Sequence, residues 1–176
     1  MKYTPLSIPG AFRVELVRFD DDRGFLAQYY APREMEQHCL NPRVERGLVA
    51  YNRAAGTLRG LHYQAEPHRE AKLIRCTAGA VFDVMLDLRP ESPTYRKWLG
   101  FELSAENRTM LYVPEGCAHG YLTLRDDSEV HYLVSEVYAP QSERGVRWDD
   151  PAFAIEWPGP VRVISEKDRA HPDFPA

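Results

Sequence analysis

The stretch TLRGLHYQ, residues 57–64, sets an arginine, a histidine and a glutamine into a run that otherwise reads as a strand. Histidine is the usual side chain for proton transfer near neutral pH, so His62 is a candidate base; its plainer reading is a half-buried ring with one backbone hydrogen bond. Arg59 is either a surface ion-pair partner or an anion ligand, and Gly60 beside it lets a ligand or another backbone come close. Lys72, in AKLIRCTAG, shares a strand face with Ile74 and Cys76. It therefore ends a strand, points into a pocket, or lays its stem on apolar surface with a wet head. In AVFDVMLDLR, Asp83 and Asp87 fall on one face with Val81 and Met85, which suits a polar-lined cavity or a solvated sheet face. Tyr132 and Tyr138 share a face of EVHYLVSEVY; in an unbroken strand they stand roughly 20 Å apart at about 3.4 Å per residue. Arg59 and His62 have opposite parity, so an unbroken strand turns them to opposite faces.

A second stretch, PEGCAHG (114–120), reads Pro-x-Gly-x-x-His. It resembles the second motif of cupin barrels, whose histidine points into the barrel; its plain reading is a turn followed by a strand histidine. Metal-binding cupins carry His-x-His in the first motif, whereas this chain has His62-Tyr63-Gln64 followed by Ala65 and Glu66. Transition-metal sites want three or four N, S or carboxylate ligands, and His62 with His119 supply two. A metal-free cupin is the better reading. DDDRGFL (20–26) and SEKDRA (165–170) read as solvated turn clusters, and His38, His68, His131 and His171 as surface or structural side chains.

The elements that must hold these groups are short strands. The 176 residues suit one domain, residues 1–176, with a sizeable core, and 44% apolar with 27% charged content is ordinary for a soluble globular chain. A formal net charge of −4 argues against a nucleic-acid binder. Cys39, Cys76 and Cys117 are few, odd in number and unclustered, which speaks against a disulfide framework or a CxxC zinc site and for reduced thiols in the cytosol. MKYTPLSIPG is no signal peptide, and AGAVFDVMLDL is too short and too acidic to span a membrane. Eight β-rich runs, 11–19, 57–64, 71–79, 80–89, 97–103, 110–116, 119–124 and 129–138, lie between Gly, Pro, Asn and Asp punctuation, predicting an all-β sandwich or barrel. Two segments are candidate helices: APREMEQHCL (31–40) has mostly good helix formers, with Pro32 tolerable near its start, and SEKDRA allows a short helical turn.

Read together, DRGF (22–25), LRGLHYQ (58–64), KLIR (72–75), FDVMLDLR (82–89), SPTYRKW (92–98), LSAENR (103–108), PEGCAHGY (114–121), YAPQSERGVRWDDP (138–151), IEWP (155–158) and SEKD (165–168) resemble the dTDP-4-dehydrorhamnose 3,5-epimerase family in order over nearly the whole chain. The resemblance implies an all-β, cupin-type jelly-roll barrel with a few short peripheral helices. It implies a homodimer whose N-terminal regions exchange strand contacts, and no metal or redox cofactor. The implied substrate is a nucleotide-diphosphate 4-keto-6-deoxy sugar, inverted at the carbons flanking the ketone. By the same resemblance His62 is the base, Asp168 its orienting partner, Tyr132 the acid on the opposite face, and Lys72 the cation on the enolate oxygen. Arg23 and Arg59 match diphosphate ligands, His119 lines the cavity, Tyr138 stacks on the nucleotide base, and Asn52, Gln64, Asp83 and Lys167 complete the substrate-binding set. Roles for both Arg59 and His62 on one ligand, given their opposite parity, imply a bulge at Gly60.

The chain departs from the family pattern where Leu26 and Gln28 replace the later residues of RGFFxE and where Ala50-Tyr51-Asn52-Arg53-Ala54 replaces QDNxS. Both stretches lie near nucleotide and sugar in the family. The alternatives are therefore a single-site 3- or 5-epimerase of a GDP- or CDP-linked sugar, a metal-dependent cupin enzyme, and a non-catalytic sugar-nucleotide binding cupin.

Overall fold

Runs of aliphatic and β-branched residues pair, almost wholly antiparallel, into two sheets that face each other. The computed structural model describes residues 1–174. In chain order the elements are β1 (Lys2–Pro5), β2 (Phe12–Glu15), β3 (Arg18–Asp21), β4 (Gly24–Ala27), α1 (Pro32–Gln37), β5 (Arg46–Asn52), β6 (Thr57–Gln64), β7 (Lys72–Ala78), β8 (Ala80–Asp87), β9 (Trp98–Ser104), β10 (Met110–Val113), β11 (Cys117–Thr123), β12 (Ser128–Val134), β13 (Glu143–Gly145), β14 (Val163–Ile164) and α2 (Glu166–Arg169). One sheet runs β1-β2-β10-β7-β12-β5, the other β13-β6-β11-β8-β9, with β14 added in parallel to β6; β3 and β4 form a separate hairpin. This is the jelly-roll barrel that the sequence implies.

The barrel interior is closed by Ile74, Cys76, Val81, Met85, Leu103, Leu111 and Val130 from both sheets. A further cluster lies outside one sheet, where Met35 of α1 packs with Val14, Leu73 and Met110. A third lies outside the other, where Val84 and Leu86 meet Val146 and Phe153 of the tail segment. Strand β8 is buried on both faces, which explains its near-continuous apolar run.

Two expected strands are cut short. Residues 11–19 divide into β2 and β3, since Leu16 turns onto the α1 cluster and residues 18–21 pair with β4 instead of the sheet. DDDRGFL is therefore largely hairpin strand, not a loop. The run 129–138 ends at Val134: the Ser135 hydroxyl accepts from Ala71 N–H at 2.8 Å, and the chain then leaves the sheet. Tyr138 thus sits on a loop, and the strand-face argument linking it to Tyr132 does not hold. The bulge is present. Arg59 pairs with Tyr121 and His62 with His119, so three steps along β6 match two along β11. Gly60 at its centre has φ +119°, and a Cβ there would lie 2.5 Å from Gly120 Cα, so glycine is the residue this position accepts.

Candidate active site

A cavity of about 600 Å³ opens between the sheets, lined by Arg59, His62 and Gln64 of β6, Lys72 of β7, His119 and Tyr121 of β11, Tyr132 of β12, the loop residue Tyr138, and Lys167 and Asp168 of α2. Its volume suits a small organic ligand. The bulge makes this possible, since it turns both Arg59 and His62 toward the same space.

His62 Nε2 lies 2.6 Å from Asp168 Oδ1, and the other carboxylate oxygen, Oδ2, accepts from Gly60 N–H at 3.3 Å. Asp168 is presented by the turn of α2, whose N-cap Ser165 hydroxyl accepts from the Asp168 N–H at 3.0 Å. The short polar segment SEKD is thus a cap that delivers a carboxylate, not a solvated turn. Burial works to raise the Asp168 carboxyl, but the hydrogen bond and charge of His62 and the Gly60 N–H outweigh it and hold it below its ordinary value. With Nε2 committed to Asp168, the Nδ1 atom of His62 is the one left for proton transfer.

Tyr132 stands on the opposite sheet. Burial first, then the neighbouring Tyr121 and Asp83, push its phenol well above the ordinary tyrosine value, so it remains a proton donor at neutral pH. Its ring meets His119 edge-on, with centroids 5.8 Å apart. Lys72 is at once the first residue of its strand and a cavity residue: its Nζ donates to His62 carbonyl oxygen at 3.1 Å and lies 3.1 Å from Glu70 Oε1, while Arg46 holds the other Glu70 oxygen at 2.7 Å.

Four residues of the expected substrate-binding set make other contacts within this chain. Asp83 is fully buried and bonds His119 Nε2 at 2.8 Å, so it orients the ring and has no surface on the cavity. Asn52, also buried, accepts from Arg59 Nε at 2.8 Å and aims that guanidinium. Gln64 reaches the cavity wall, but its amide is committed to backbone: it donates to His68 O and Val137 O and accepts from Ala139 N–H at 2.7 Å, anchoring the loop that carries Tyr138. Arg23 lies at the exposed tip of the β3–β4 hairpin, 2.6 Å from Asp21, and is not among the cavity residues of this chain.

At the mouth, Tyr138 donates its hydroxyl to Glu143 at 2.8 Å under the Arg46 guanidinium, and Lys167 meets the other Glu143 oxygen at 2.6 Å. Burial would raise Glu143, but Lys167 and Tyr138 keep it low, and Lys167 is raised in turn. Glu70, Arg46, Glu143 and Tyr121 were missed in the sequence. Only Tyr121, inside PEGCAHGY, carried a signal. His171, read as a surface or structural side chain, lies against His62 with ring centroids 6.1 Å apart. The two cupin-motif histidines each have their own carboxylate, Asp168 and Asp83. In the one close His/Asp cluster among the described residues, His62, Asp168 and His171, the shortest contact is the hydrogen bond between two of its members.

The model of the dTDP-4-dehydrorhamnose 3,5-epimerase family matches residues 5–176. The chain belongs to that family. A dTDP-4-dehydrorhamnose 3,5-epimerase of Sinorhizobium fredii is 40% identical over 175 residues, 99% of this chain and 90% of the relative. A Bacillus anthracis dTDP-4-dehydrorhamnose 3,5-epimerase, solved with TDP and PPi bound, is 39% identical with a TM-score of 0.94 over 98% of this chain and 99% of its own. A 3'-monoepimerase of Streptomyces bikiniensis, solved with dTDP-quinovose, is 35% identical with a TM-score of 0.88 over 96% of this chain and 86% of its own. The family is thus an isomerase family, and several of its solved members hold TDP, dTDP or a dTDP-sugar in this fold. Among the described residues no helix is long and apolar enough to cross a membrane.

Proposed function

We propose that this member of the family inverts C3 and C5 of a dTDP-linked 4-keto-6-deoxy sugar, acting as a single domain. The observation that carries the reading is the His62–Asp168 pair on one wall of the cavity and Tyr132 on the other. A hydrogen beside a ketone is weakly acidic, so its removal needs a placed base and a stabilised enolate. His62 Nδ1 takes the proton and Asp168 stabilises the imidazolium. The electron pair moves onto the ketone oxygen, which Lys72 faces as a compact cation. Tyr132 returns a proton from the other face. His119, turned by Asp83, lines the sugar site, and Arg59, aimed by Asn52, takes the diphosphate. Tyr138 offers its exposed ring to the nucleotide base, with Lys167 beside it and Gln64 fixing its loop.

The same reading includes a homodimer. The β3–β4 hairpin leaves Phe19 69% and Leu26 75% exposed, and edge strand β5 leaves Val49 61% exposed, more than a solitary chain has reason to show. Exchange of these N-terminal strands would carry Arg23 to the diphosphate of the second subunit. Three free cysteines agree with a reducing cytoplasmic setting.

Incubation with dTDP-4-keto-6-deoxyglucose in D₂O, followed by NMR at C3 and C5, tests the reaction. Loss of both signals is expected, and His62→Ala should abolish both. Exchange at one carbon alone would mark the single-site alternative, for which the likeness to the 3'-monoepimerase speaks. No exchange, with turnover of a GDP- or CDP-linked 4-keto sugar instead, would overturn the nucleotide.

A further inference from the structure

His171 follows α2, where no motif points to it, and three contacts set it apart. Its ring meets His62 edge-on, with an interplanar angle of 72°. It lies on Gly145, the residue of β13 that pairs with His62 across the sheet; a Cβ at Gly145 would fall 2.1 Å from His171 Nε2, so only glycine leaves room for the ring. Its Nε2 is buried with no hydrogen-bond partner, and its ligating-atom group with His62 and Asp168 spans no more than 4.8 Å. A buried N–H without an acceptor is costly, so the neutral ring with an unprotonated Nε2 suits this seat.

We propose that His171 is a positioning residue for the His62–Asp168 pair: its neutral ring, seated on Gly145, braces the His62 imidazole and keeps water from the hydrogen bond to Asp168. Without it His62 has room to swing away from the carboxylate on the side that faces the tail. The charged groups around His171 are His62 on β6, Asp168 and Lys167 on α2, and Glu143 on β13. Burial and then the positive His62 lower its basicity, Lys167 adds to this, and Asp168 and Glu143 oppose it. Protonated, His171 competes with His62 for Asp168. The acid limb then carries two protonations, the base itself and its brace.

The inference rests on the proposed epimerase reading, and the experiment separates the two. Exchange in dTDP-4-keto-6-deoxyglucose would be followed for the wild type, His171→Ala and His171→Phe, with ¹⁵N NMR of the His62 ring in the ligand-free proteins. His171→Ala should lower kcat about tenfold or more with little change in KM, and should shift the His62 nitrogens toward mixed tautomers. His171→Phe keeps a ring on Gly145 and should recover kcat to within a few-fold. Its log kcat/KM should fall with a slope of one at low pH, where the wild type approaches two. An alanine variant with unchanged kcat and unchanged His62 nitrogens would overturn the proposal, as would a phenylalanine variant whose acid limb matches the wild type. If the wild type itself exchanges nothing, the epimerase reading fails, and the His62 nitrogen signals alone decide the role of His171.

Discussion

The Asp168→Asn substitution tests the dyad most directly, because it changes one charge without changing shape. Asp168 Oδ1 faces His62 Nε2 at 2.6 Å and Oδ2 faces Gly60 N–H at 3.3 Å. An amide must present its NH₂ to one of them. If the oxygen keeps Gly60, the NH₂ donates to His62 Nε2 and the ring proton moves to Nδ1, which disables the base. The comparable tautomer defect in a Ser-His-Asp triad costs about 10⁴-fold in kcat. If the oxygen keeps His62, the ring tautomer survives but the developing imidazolium loses its carboxylate. A hydrogen bond to a charged group contributes about 1.5–3 kcal/mol, which is about 10- to 150-fold in rate. Gly60 N–H then faces a donor inside the protein at a further cost of about 1–3 kcal/mol in stability. Both orientations predict a kcat lowered by at least about tenfold at pH 7, with KM nearly unchanged. Turnover by NMR, with urea unfolding alongside, measures both effects. A variant within threefold of the wild type in kcat would refute the pairing of His62 with Asp168 as the working base.

Other perturbations separate acid from base and site from scaffold. Tyr132→Phe removes the donor on the far wall and should lower product formation by about 10²-fold or more while solvent deuterium still enters the sugar; inversion at a near-native rate would reject Tyr132 as the acid. Gly60→Ala should destabilise the fold by about 2–5 kcal/mol in urea, because a side chain at φ +119° is strained and its Cβ meets the β11 backbone. Burial would raise the Asp87 carboxyl, but Arg89, Ser92 and Thr94 hold it at about 2. Its folded value lies below the unfolded 3.8, so its stabilisation of about 2 kcal/mol is present above pH 4 and lost as pH falls through 2. Asp87→Asn should therefore be less stable at pH 7 and indistinguishable near pH 2. Gln64→Ala frees the Tyr138 loop and should raise KM for the dTDP-sugar several-fold more than it lowers kcat; equal effects on both would place Gln64 in the chemistry instead.

The strands were legible where one face was apolar and the run was bounded by Gly or Pro, as in β6, β8 and β11. His62 and Lys72 were legible because polar groups in such runs conflict with the strand pattern, His119 because it closes a cupin-like Pro-x-Gly-x-x-His motif, and Gly60 because the family resemblance puts Arg59 and His62, of opposite parity, on one ligand. Tyr138 was misplaced because Ser135 ends the strand through a hydroxyl bond to Ala71, a choice that depends on a partner 64 residues away. The Asp83 face suited either a cavity or solvent, and Asp83 lies buried one layer behind the cavity, since alternation gives direction and not depth. Glu143, Arg46 and Glu70 carried no local sign: each is a lone charged residue whose meaning comes from Tyr138, Lys167 and Lys72. His171 was beyond reach for the same reason, as its seat is made by Gly145 on another element.

The arrangement also bears on how one base and one acid serve two carbons. In a gluco-configured pyranose the hydrogens on C3 and C5 are axial on the same face, and both flank the C4 ketone. A sugar ring lying in the cavity presents both acidic hydrogens to the His62 wall and both opposite lobes to the Tyr132 wall. If the ketone oxygen stays at Lys72, moving from C3 to C5 needs a small pivot about the C4–O bond while Arg59 keeps the diphosphate, together with loss of the His62 proton to solvent and reprotonation of the Tyr132 phenolate before the second cycle. What decides between one inversion and two is then the freedom of that pivot and not the identity of the base. The walls that border it, His119 backed by Asp83 and the Tyr138 loop backed by Gln64, are held by buried hydrogen bonds and so set that freedom from behind the cavity.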